Sequence, residues 1–111
     1  SDQDIRFIIV KRSSDEKFLT EIALNESDQD IRMMAVKKIT DENALINIAN
    51  NDLSFGIRCE AIGKINNKSV LEDILSNEDL GCEDPFGYIH KEAKKRLEEL
   101  NKEINDIVNL I

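Results

Sequence analysis

The chain has 111 residues, of which 34% are charged, and its formal net charge is −8, with 23 acidic residues against 15 Lys and Arg. This length gives room for one domain, and the acidic excess argues against a nucleic-acid partner, whose phosphates need a clustered basic face. No apolar run approaches the roughly 18 residues that a membrane span requires, and no signal-peptide pattern opens the sequence.

The two cysteines, Cys59 and Cys82, form no CxxC pattern and have no histidine nearby. Unpaired thiols in a chain without a secretory signal favour a reducing compartment, so we expect a cytoplasmic protein. Cys59 shares a repeat position with Phe7 and Met33, which predicts a packing role for it.

The sequence repeats itself. The hexapeptide Ser-Asp-Gln-Asp-Ile-Arg occupies residues 1–6 and returns at residues 27–32, and the pair Ile57-Arg58 continues the same 26-residue period. A fixed period of this kind indicates an array of structural repeats. Because the first residue is a Ser that already lies inside a repeat, we interpret the chain as an excerpt of a longer array or as one that has lost a tag.

Each repeat predicts two short helices. With the Ile of each Ile-Arg pair as position zero, apolar residues recur at positions 0, +4, +5 and +8, and again at +14, +17 and +18. The first set marks one face of a helix and the second set marks one face of another. The predicted helices cover residues 3–12, 15–24, 29–39, 42–50, 54–65 and 68–76.

Polar residues mark the ends of these helices. The second helices are preceded by residues that favour an N-cap, namely Ser14-Asp15, Thr40-Asp41 and Asn66-Asn67. They are followed by Asn25, Asn51 and Asn77. Since Asn tolerates the left-handed conformation that often ends a helix, these three residues predict left-handed C-terminal turns.

A fourth repeat follows an insertion near residues 78–83. Asp84-Pro85 predicts a helix start, and Ile89 restores position zero. An apolar stripe then continues through Leu97, Leu100, Ile104, Ile107, Val108 and Ile111. The sequence leaves open whether this tail is one long helix or a hairpin. We expect it to cap the array rather than to mediate dimerisation.

Helices of about ten residues are marginal in water, so they must bury their apolar faces against each other. We therefore predict an all-α fold: a right-handed α-solenoid of about four stacked helical hairpins in a single domain spanning residues 1–111. The repeats cover approximately residues 1–26, 27–52, 53–78 and 84–111.

The repeat unit resembles a HEAT-like repeat of the short bacterial and archaeal type, with the leucine-rich repeat variant as a close relative. The matching residues are an acid five positions before an Ile-Arg pair and an Ala four positions after its Ile, as in Asp52, Ile57-Arg58 and Ala61. The resemblance implies an ARM-type superhelix. It also implies that the Arg residues at position +1, namely Arg6, Arg32 and Arg58, pair with acids at helix starts. Any ladder of such acid–arginine pairs between repeats should end at His90, which stands where Arg is usual. The alternative is that these arginines present a ladder of positive charge to an acidic partner.

Residues for catalysis are not apparent. The chain has no GxSxG, P-loop or GxGxxG motif, and its single histidine, His90, lacks partners for base catalysis or metal binding. The run Asp28-Gln29-Asp30 lacks the Gly and Glu that complete a calcium loop. We therefore predict a protein that is not an enzyme and has no cofactor, metal or catalytic residues. Gly63, expected inside a helix, indicates either a close neighbour or a tolerated cost.

Two surfaces are candidates for binding another protein or peptide, which could be basic. The first is the exposed face of the second helices, expected to line the inner side of the solenoid: Lys17, Glu21, Asn43, Asn47, Ser69, Glu72 and Asp73. The second surrounds the insertion: Leu80, Phe86 and Tyr88. The plainer interpretation of the first surface is an ordinary solvated face. That of the second is that its aromatic residues fold back to cap the third repeat. No nucleic acid or membrane partner is expected, and a monomer is favoured.

Two other functions stay open. Some HEAT-like proteins resemble bilin lyases or DNA-glycosylase folds, so an enzyme-associated role is possible on that resemblance. A structural spacer, or a homo-oligomer formed through the C-terminal helix, is the other alternative.

Overall fold

The computed structural model describes residues 2–77, 84 and 86–111. Over these residues the chain is all-α, as predicted, with seven helices and no strand. The six helices expected before residue 77 are all present. The helices are α1 (Asp2–Arg12), α2 (Glu16–Asn25), α3 (Gln29–Lys38), α4 (Glu42–Asn51), α5 (Phe55–Ile62), α6 (Lys68–Ser76) and α7 (Tyr88–Asn109).

The predicted N-caps of the second helices are confirmed. Asp15, Asp41 and Asn67 precede α2, α4 and α6, and the side-chain oxygen of each accepts hydrogen bonds from backbone N–H groups of the first helical turn. The Lys17 N–H, for example, lies 3.0 Å from Asp15 Oδ1. Each cap satisfies donors that have no partner inside the helix, so these short helices begin at defined residues.

The predicted left-handed turns after the second helices are wrong. In the described part of the chain no residue other than glycine has a positive φ. Asn25 and Asn51 are instead the last residues of α2 and α4, and each donates its side-chain N–H to the backbone carbonyl four residues earlier, at 3.0 Å. The amide side chain thus satisfies a terminal carbonyl, and the backbone needs no left-handed residue to do so.

The core is one cluster of buried side chains that extends from Val10 to Leu100. It contains the repeat positions that the sequence marks as apolar, such as Ile31 and Ile57 at position zero. The first helices pack in succession, α1 on α3, α3 on α5 and α5 on α7. Each second helix packs closely on the first helix of the next repeat, so that α2 lies on α3, α4 on α5 and α6 on α7.

Two of the arginines at position +1 pair with acids, as the family resemblance implied, although these acids are the C-cap residues of α2 and α4. Arg6 Nε lies 2.9 Å from Glu26 Oε2, and Arg32 Nε lies 3.2 Å from Asp52 Oδ2. Arg58 is buried and donates from Nε to the Ala49 carbonyl at 2.7 Å. Both acids are almost entirely buried. Each pair connects the end of a second helix to the first helix of the same repeat.

Two further sets of polar contacts join successive repeats, and the sequence patterns did not predict them. Lys38 Nζ donates to the Val10 and Lys11 carbonyls, and Lys64 Nζ makes the equivalent contacts one repeat later, all at 2.8–3.0 Å. These lysines neutralise the negative ends of α1 and α3. Burial lowers the pKa of Lys64 below 10.5, and the charges of Glu60 and Glu16 oppose that shift.

In the second set, a glutamate in one repeat holds the turn of the next. Glu16 Oε1 accepts from the backbone N–H groups of residues 40 and 41, at 2.6 and 2.8 Å. Glu42 Oε1 accepts from those of residues 66 and 67, at 2.7 and 3.0 Å. Each carboxylate therefore satisfies two backbone donors that lie outside the helices.

The C-terminal segment is one helix of 22 residues, which decides between the two predicted alternatives. It begins at Tyr88 and not at Asp84-Pro85, so that predicted start is wrong, and Pro85 lies outside the described residues. Asp84 still acts near this end: its carboxylate accepts from the Tyr88 and Ile89 N–H groups at 2.8 and 3.0 Å. Gly87 precedes the helix with a φ of 66°, a left-handed conformation that glycine adopts at low cost.

The two halves of α7 differ in burial. Ile89, Ala93 and Leu100 are buried against the third repeat, so the expected capping is confirmed for this half. Every residue from 101 onward is exposed, including Ile104 and Ile107. The apolar stripe therefore extends beyond the surface that it covers.

Gly63 follows the last residue of α5, which ends three residues earlier than predicted. A Cβ built at Gly63 would lie 2.9 Å from Glu92 Oε1 of α7. The structure therefore favours the interpretation that a neighbour approaches closely. That neighbour is the tip of a flexible side chain.

Candidate protein-binding surfaces

The predicted face of the second helices is exposed to solvent. All seven candidates on it lie at least partly at the surface: Lys17 and Glu21 on α2, Asn43 and Asn47 on α4, and Ser69, Glu72 and Asp73 on α6. Because the three helices carry these residues at equivalent repeat positions, they form rows that cross from α2 to α6. The structure thus places the predicted polar face on the molecular surface.

Shallow grooves run along α2 and α4. One of about 280 Å³ lies between the two helices, and its apolar residues are Ala23, Leu24 and Ile48. Asn47 and Asn51 also line this groove. A second groove of about 270 Å³ beside α2 is lined in part by Phe18, Glu21 and Asn25. Of the seven candidates, Glu21 and Asn47 line these two grooves, and the other five do not.

The polar groups around these grooves are of two kinds. Glu26 and Asp52 also line them, but their carboxylates already pair with Arg6 and Arg32. Exposed amides and the exposed Glu21 carboxylate remain for a ligand. Apolar residues flanked by amides and one carboxylate suit a peptide that carries polar or basic side chains.

Two of these amides are absent from the candidates that the sequence predicted. Asn25 and Asn51 were assigned to helix ends, which they do occupy, yet their side chains also line the grooves. The Asn51 Nδ2 lies 2.8 Å from Asn47 Oδ1, so the two amides form a pair on α4. The signal available in the sequence was the recurrence of Asn at one repeat position, four residues after Asn47.

The second predicted surface is an aromatic cluster. The Tyr88 ring stacks on Phe55 of the third repeat with centroids 5.7 Å apart, and Phe86 packs on Tyr88 at 5.5 Å. Lys91 Nζ lies 5.5 Å from the Tyr88 centroid, within cation–π range. Tyr88 therefore does cover the third repeat, while Phe86 remains 65% exposed. Leu80 and Cys82 lie outside the described residues.

Cys59 and His90 both have contacts within the fold. Cys59 is half-buried and packs against the core, as predicted. His90 Nε2 lies 2.8 Å from the Asn77 carbonyl. Within the described ranges no group of three or more His, Cys, Asp or Glu side chains could hold a metal ion. No helix in those ranges has both the length and the apolar character needed to cross a membrane.

Comparison with known proteins gave no match: no family model, curated protein or solved structure matches the chain. The interpretation of these surfaces therefore depends on the repeat positions and on the contacts described above. Those contacts place two candidates, Glu21 and Asn47, in grooves along α2 and α4 that have both polar and apolar lining residues.

Proposed function

We propose that the chain is a right-handed α-solenoid of HEAT-like repeats that acts as a non-enzymatic, cytoplasmic scaffold for binding another protein. The recurring apolar positions and the serial packing of α1, α3, α5 and α7 support a repeat array. The Lys and Glu contacts recur with the same 26-residue period, which supports the same arrangement. Arrays of this kind present extended surfaces to their partners.

The observation that carries the binding role is the polar face of the second helices, with grooves along α2 and α4. The side chains of Asn47 and Glu21 line these grooves, beside the apolar residues Leu24 and Ile48. A net charge of −8 attracts basic partners at long range. The proposed ligand is a basic or polar peptide, or a helix that lies across α2 and α4.

Of the alternatives, the oligomer through the C-terminal helix has one specific observation in its favour. Ile104, Ile107 and Val108 are about half exposed or more and lie together on the C-terminal half of α7. An exposed stripe of this kind on a helix suits pairing with another helix. The enzyme-associated role has no comparable observation in the described part of the chain: Arg6 and Arg32, which line two further grooves there, are each paired with an acid.

The test is recovery of binding partners from lysate by the wild-type chain and by a triple variant of the proposed face, Glu21→Lys with Asn47→Lys and Asp73→Lys. A matched control changes Gln29→Lys, Asp30→Lys and Glu98→Lys, which lie on α3 and α7, away from the proposed face. Both variants contain two acid-to-Lys changes and one amide-to-Lys change, so their net charge is equal.

We expect the face variant to lose a partner that the wild type and the control both retain, with recovery at least about tenfold lower. Circular dichroism should show unchanged helix content in both variants, since none of the six positions is buried. Equal recovery by the face variant and the wild type would show that this face does not bind the partner. Equal loss in both variants would show that net charge, and not this face, governs binding.

A further inference from the structure

Two exposed leucines interrupt the polar pattern of the repeats. Leu24 is 43% exposed near the end of α2, where the equivalent residues of the next two repeats are Asn50 and Ser76. Leu53 is 84% exposed in the turn between α4 and α5, where the equivalent residue of the preceding repeat is Ser27. Because those equivalent residues are polar, packing within the array does not require a leucine at either position.

Both leucines line one groove of about 360 Å³, beside the Arg32–Asp52 ion pair. This groove shares Leu24, Asn51 and Asp52 with the groove of about 280 Å³ between α2 and α4. The two grooves together form a continuous surface, the leucine trough, that passes from α2 to the turn at Leu53. The structure describes the helices on both sides of it, α2 and α4, so the trough lies inside the array and not at one of its ends.

The charges along the trough favour a basic ligand. Asp52 is paired with Arg32, and Glu26 is paired with Arg6. The adjoining groove beside α2 shares Glu26 with the trough and is also lined by Glu21. Within the described part of the chain, Glu21 is the acid of these grooves that has no cation partner. A cation on the ligand would therefore pair with Glu21 without breaking an existing ion pair.

The amides in the trough favour an extended ligand over a helical one. Asn51 Nδ2 donates to Asn47 Oδ1 at 2.8 Å and to the Asn47 carbonyl at 3.0 Å. Within the described residues this leaves Asn51 Oδ1 as an acceptor and Asn47 Nδ2 as a donor. An extended peptide has backbone N–H and C=O groups that need such partners, whereas a helix satisfies most of these groups internally.

We propose that the leucine trough binds an extended peptide in which an apolar residue lies two positions from a Lys or Arg. The apolar side chain packs between Leu24 and Leu53, and the cation pairs with Glu21. Residues three apart on a helix, such as Glu21 and Leu24, have Cβ atoms about 5–6 Å apart. Two residues of extended peptide span about 6.6 Å and place their side chains on the same side. This inference rests on the proposed binding function and names the ligand of that face.

The test is selection of short random peptides displayed on phage, with the full chain as bait. We expect the selected sequences to share a Lys or Arg two positions from Leu, Ile, Val or Met. One selected peptide, synthesised and labelled with fluorescein, is then titrated with variants while its fluorescence anisotropy is recorded. Leu24→Asn with Leu53→Ser, which introduces polar residues like those of the neighbouring repeats, should weaken binding about tenfold or more. Leu53→Ser alone, at the more exposed residue, should weaken it about threefold.

The contact of Glu21 with the cation is tested by changing both partners. Glu21→Gln should weaken binding of the selected peptide about fivefold. The same substitution should not change binding of a peptide in which Gln replaces that Lys or Arg, because the ion pair is then already absent. Equal weakening of both peptides would show that Glu21 does not contact the cation and would overturn the assignment.

A matched control removes two exposed apolar residues elsewhere. Ile107→Ser with Leu110→Asn, on α7 and just after it, makes the same kinds of change and should bind the peptide as the wild type does. Thermal unfolding should be nearly unchanged by Leu53→Ser and by the control, because these side chains are mostly exposed. A selection without the shared pattern, or binding that both leucine variants retain, would overturn the proposal. Self-association of the chain that Leu53→Ser abolishes would assign the trough to a second copy and would also overturn it.

The inference and the proposed function can fail separately. If the triple variant of the proposed face loses a lysate partner and no short peptide is selected, the face binds a folded surface, and the peptide assignment alone is overturned. If that variant retains every partner and no peptide is selected, both are overturned.

Discussion

The first and last helices of the array present different surfaces to solvent. On α1, Ile5 and Ile9 are exposed at positions where the inner repeats are buried. On α7, the corresponding outer position is occupied by Lys94, where Val10 and Val36 are buried on the earlier first helices. A repeat array needs a polar outer face to remain soluble at its ends. Of the two helices, α7 carries a polar residue at its outer position, whereas the outer face of α1 is apolar at Ile5 and Ile9.

The polar contacts between repeats also change at the junction between the third repeat and α7. Glu16 and Glu42 each hold the turn of the following repeat, but the equivalent residue in the third repeat is Lys68. The following helix, α7, has no turn there, so its backbone N–H groups at residues 98 and 99 lie inside the helix. Lys68 donates instead to Asn101 Oδ1 at 2.8 Å. The loss of the turn and the change from acid to base thus occur together.

The largest expected effect concerns position zero. Ile57→Ala should lower the free energy of unfolding by about 2–5 kcal/mol, because it leaves a cavity in a closely packed core. Ile5→Ala should lower it by less than about 1 kcal/mol, since Ile5 is mostly exposed. Urea unfolding monitored by circular dichroism measures both. Equal losses would contradict the difference in burial between α1 and the inner repeats.

The next effect concerns the arginine–acid pairs. Arg32 donates to both Asp52 oxygens and to the carbonyls of residues 26 and 27. Arg32→Met leaves the buried Asp52 carboxylate without its partner and should cost about 3 kcal/mol. Arg6→Met also unpairs a buried carboxylate, but it should cost less, because the Arg6 side chain is 40% exposed against 12% for Arg32 and solvent weakens its attraction to the acid. Urea unfolding of the two variants gives this difference, and a larger loss for Arg6→Met would contradict it.

The turn contacts should give a smaller effect. Glu42→Ala removes the acceptor of two backbone N–H groups, and we expect a loss of about 1–2 kcal/mol in unfolding free energy. Lys68→Ala removes one exposed contact at the equivalent position and should cost less than about 0.5 kcal/mol. Chemical unfolding at fixed pH measures both variants. Equal costs would show that the third repeat depends on its junction as much as the second does.

The smallest effect is a pH dependence at Lys64. Because burial lowers its pKa in the folded chain below 10.5, the unfolded chain binds more protons between the two pKa values. The unfolding free energy should therefore rise as pH increases through the lowered pKa towards 10.5, and the cost of burial is fully present at neutral pH. Lys64→Met should remove this part of the pH dependence. An identical pH profile in wild type and variant would contradict it.

The repeat positions predicted most of the helical framework. Position zero at Ile31 and Ile57 identified the buried face, and Asp15 and Asp41 identified helix starts, because burial and N-capping depend on local sequence. The left-handed turn expected at Asn51 was wrong, because an Asn side chain offers two ways to satisfy a helix end and the sequence does not distinguish them.

The proposed binding face was predictable only in part. Glu21 and Asn47 were identified as surface residues, but the grooves that they line depend on how α2 and α4 pack. The Glu16 and Lys38 contacts were also missed, since each joins residues more than 20 positions apart whose pairing depends on how the repeats stack.

Because the Glu16 and Glu42 carboxylates bind backbone N–H groups of the turns, the exchange of those amide protons can report whether neighbouring repeats are docked. The amide protons of residues 40 and 41, and those of residues 66 and 67, are bound by a side chain of the preceding repeat. Their exchange with deuterated solvent is slowed only while both repeats are folded and docked. Four amide signals would thus reveal, junction by junction, where the array opens first.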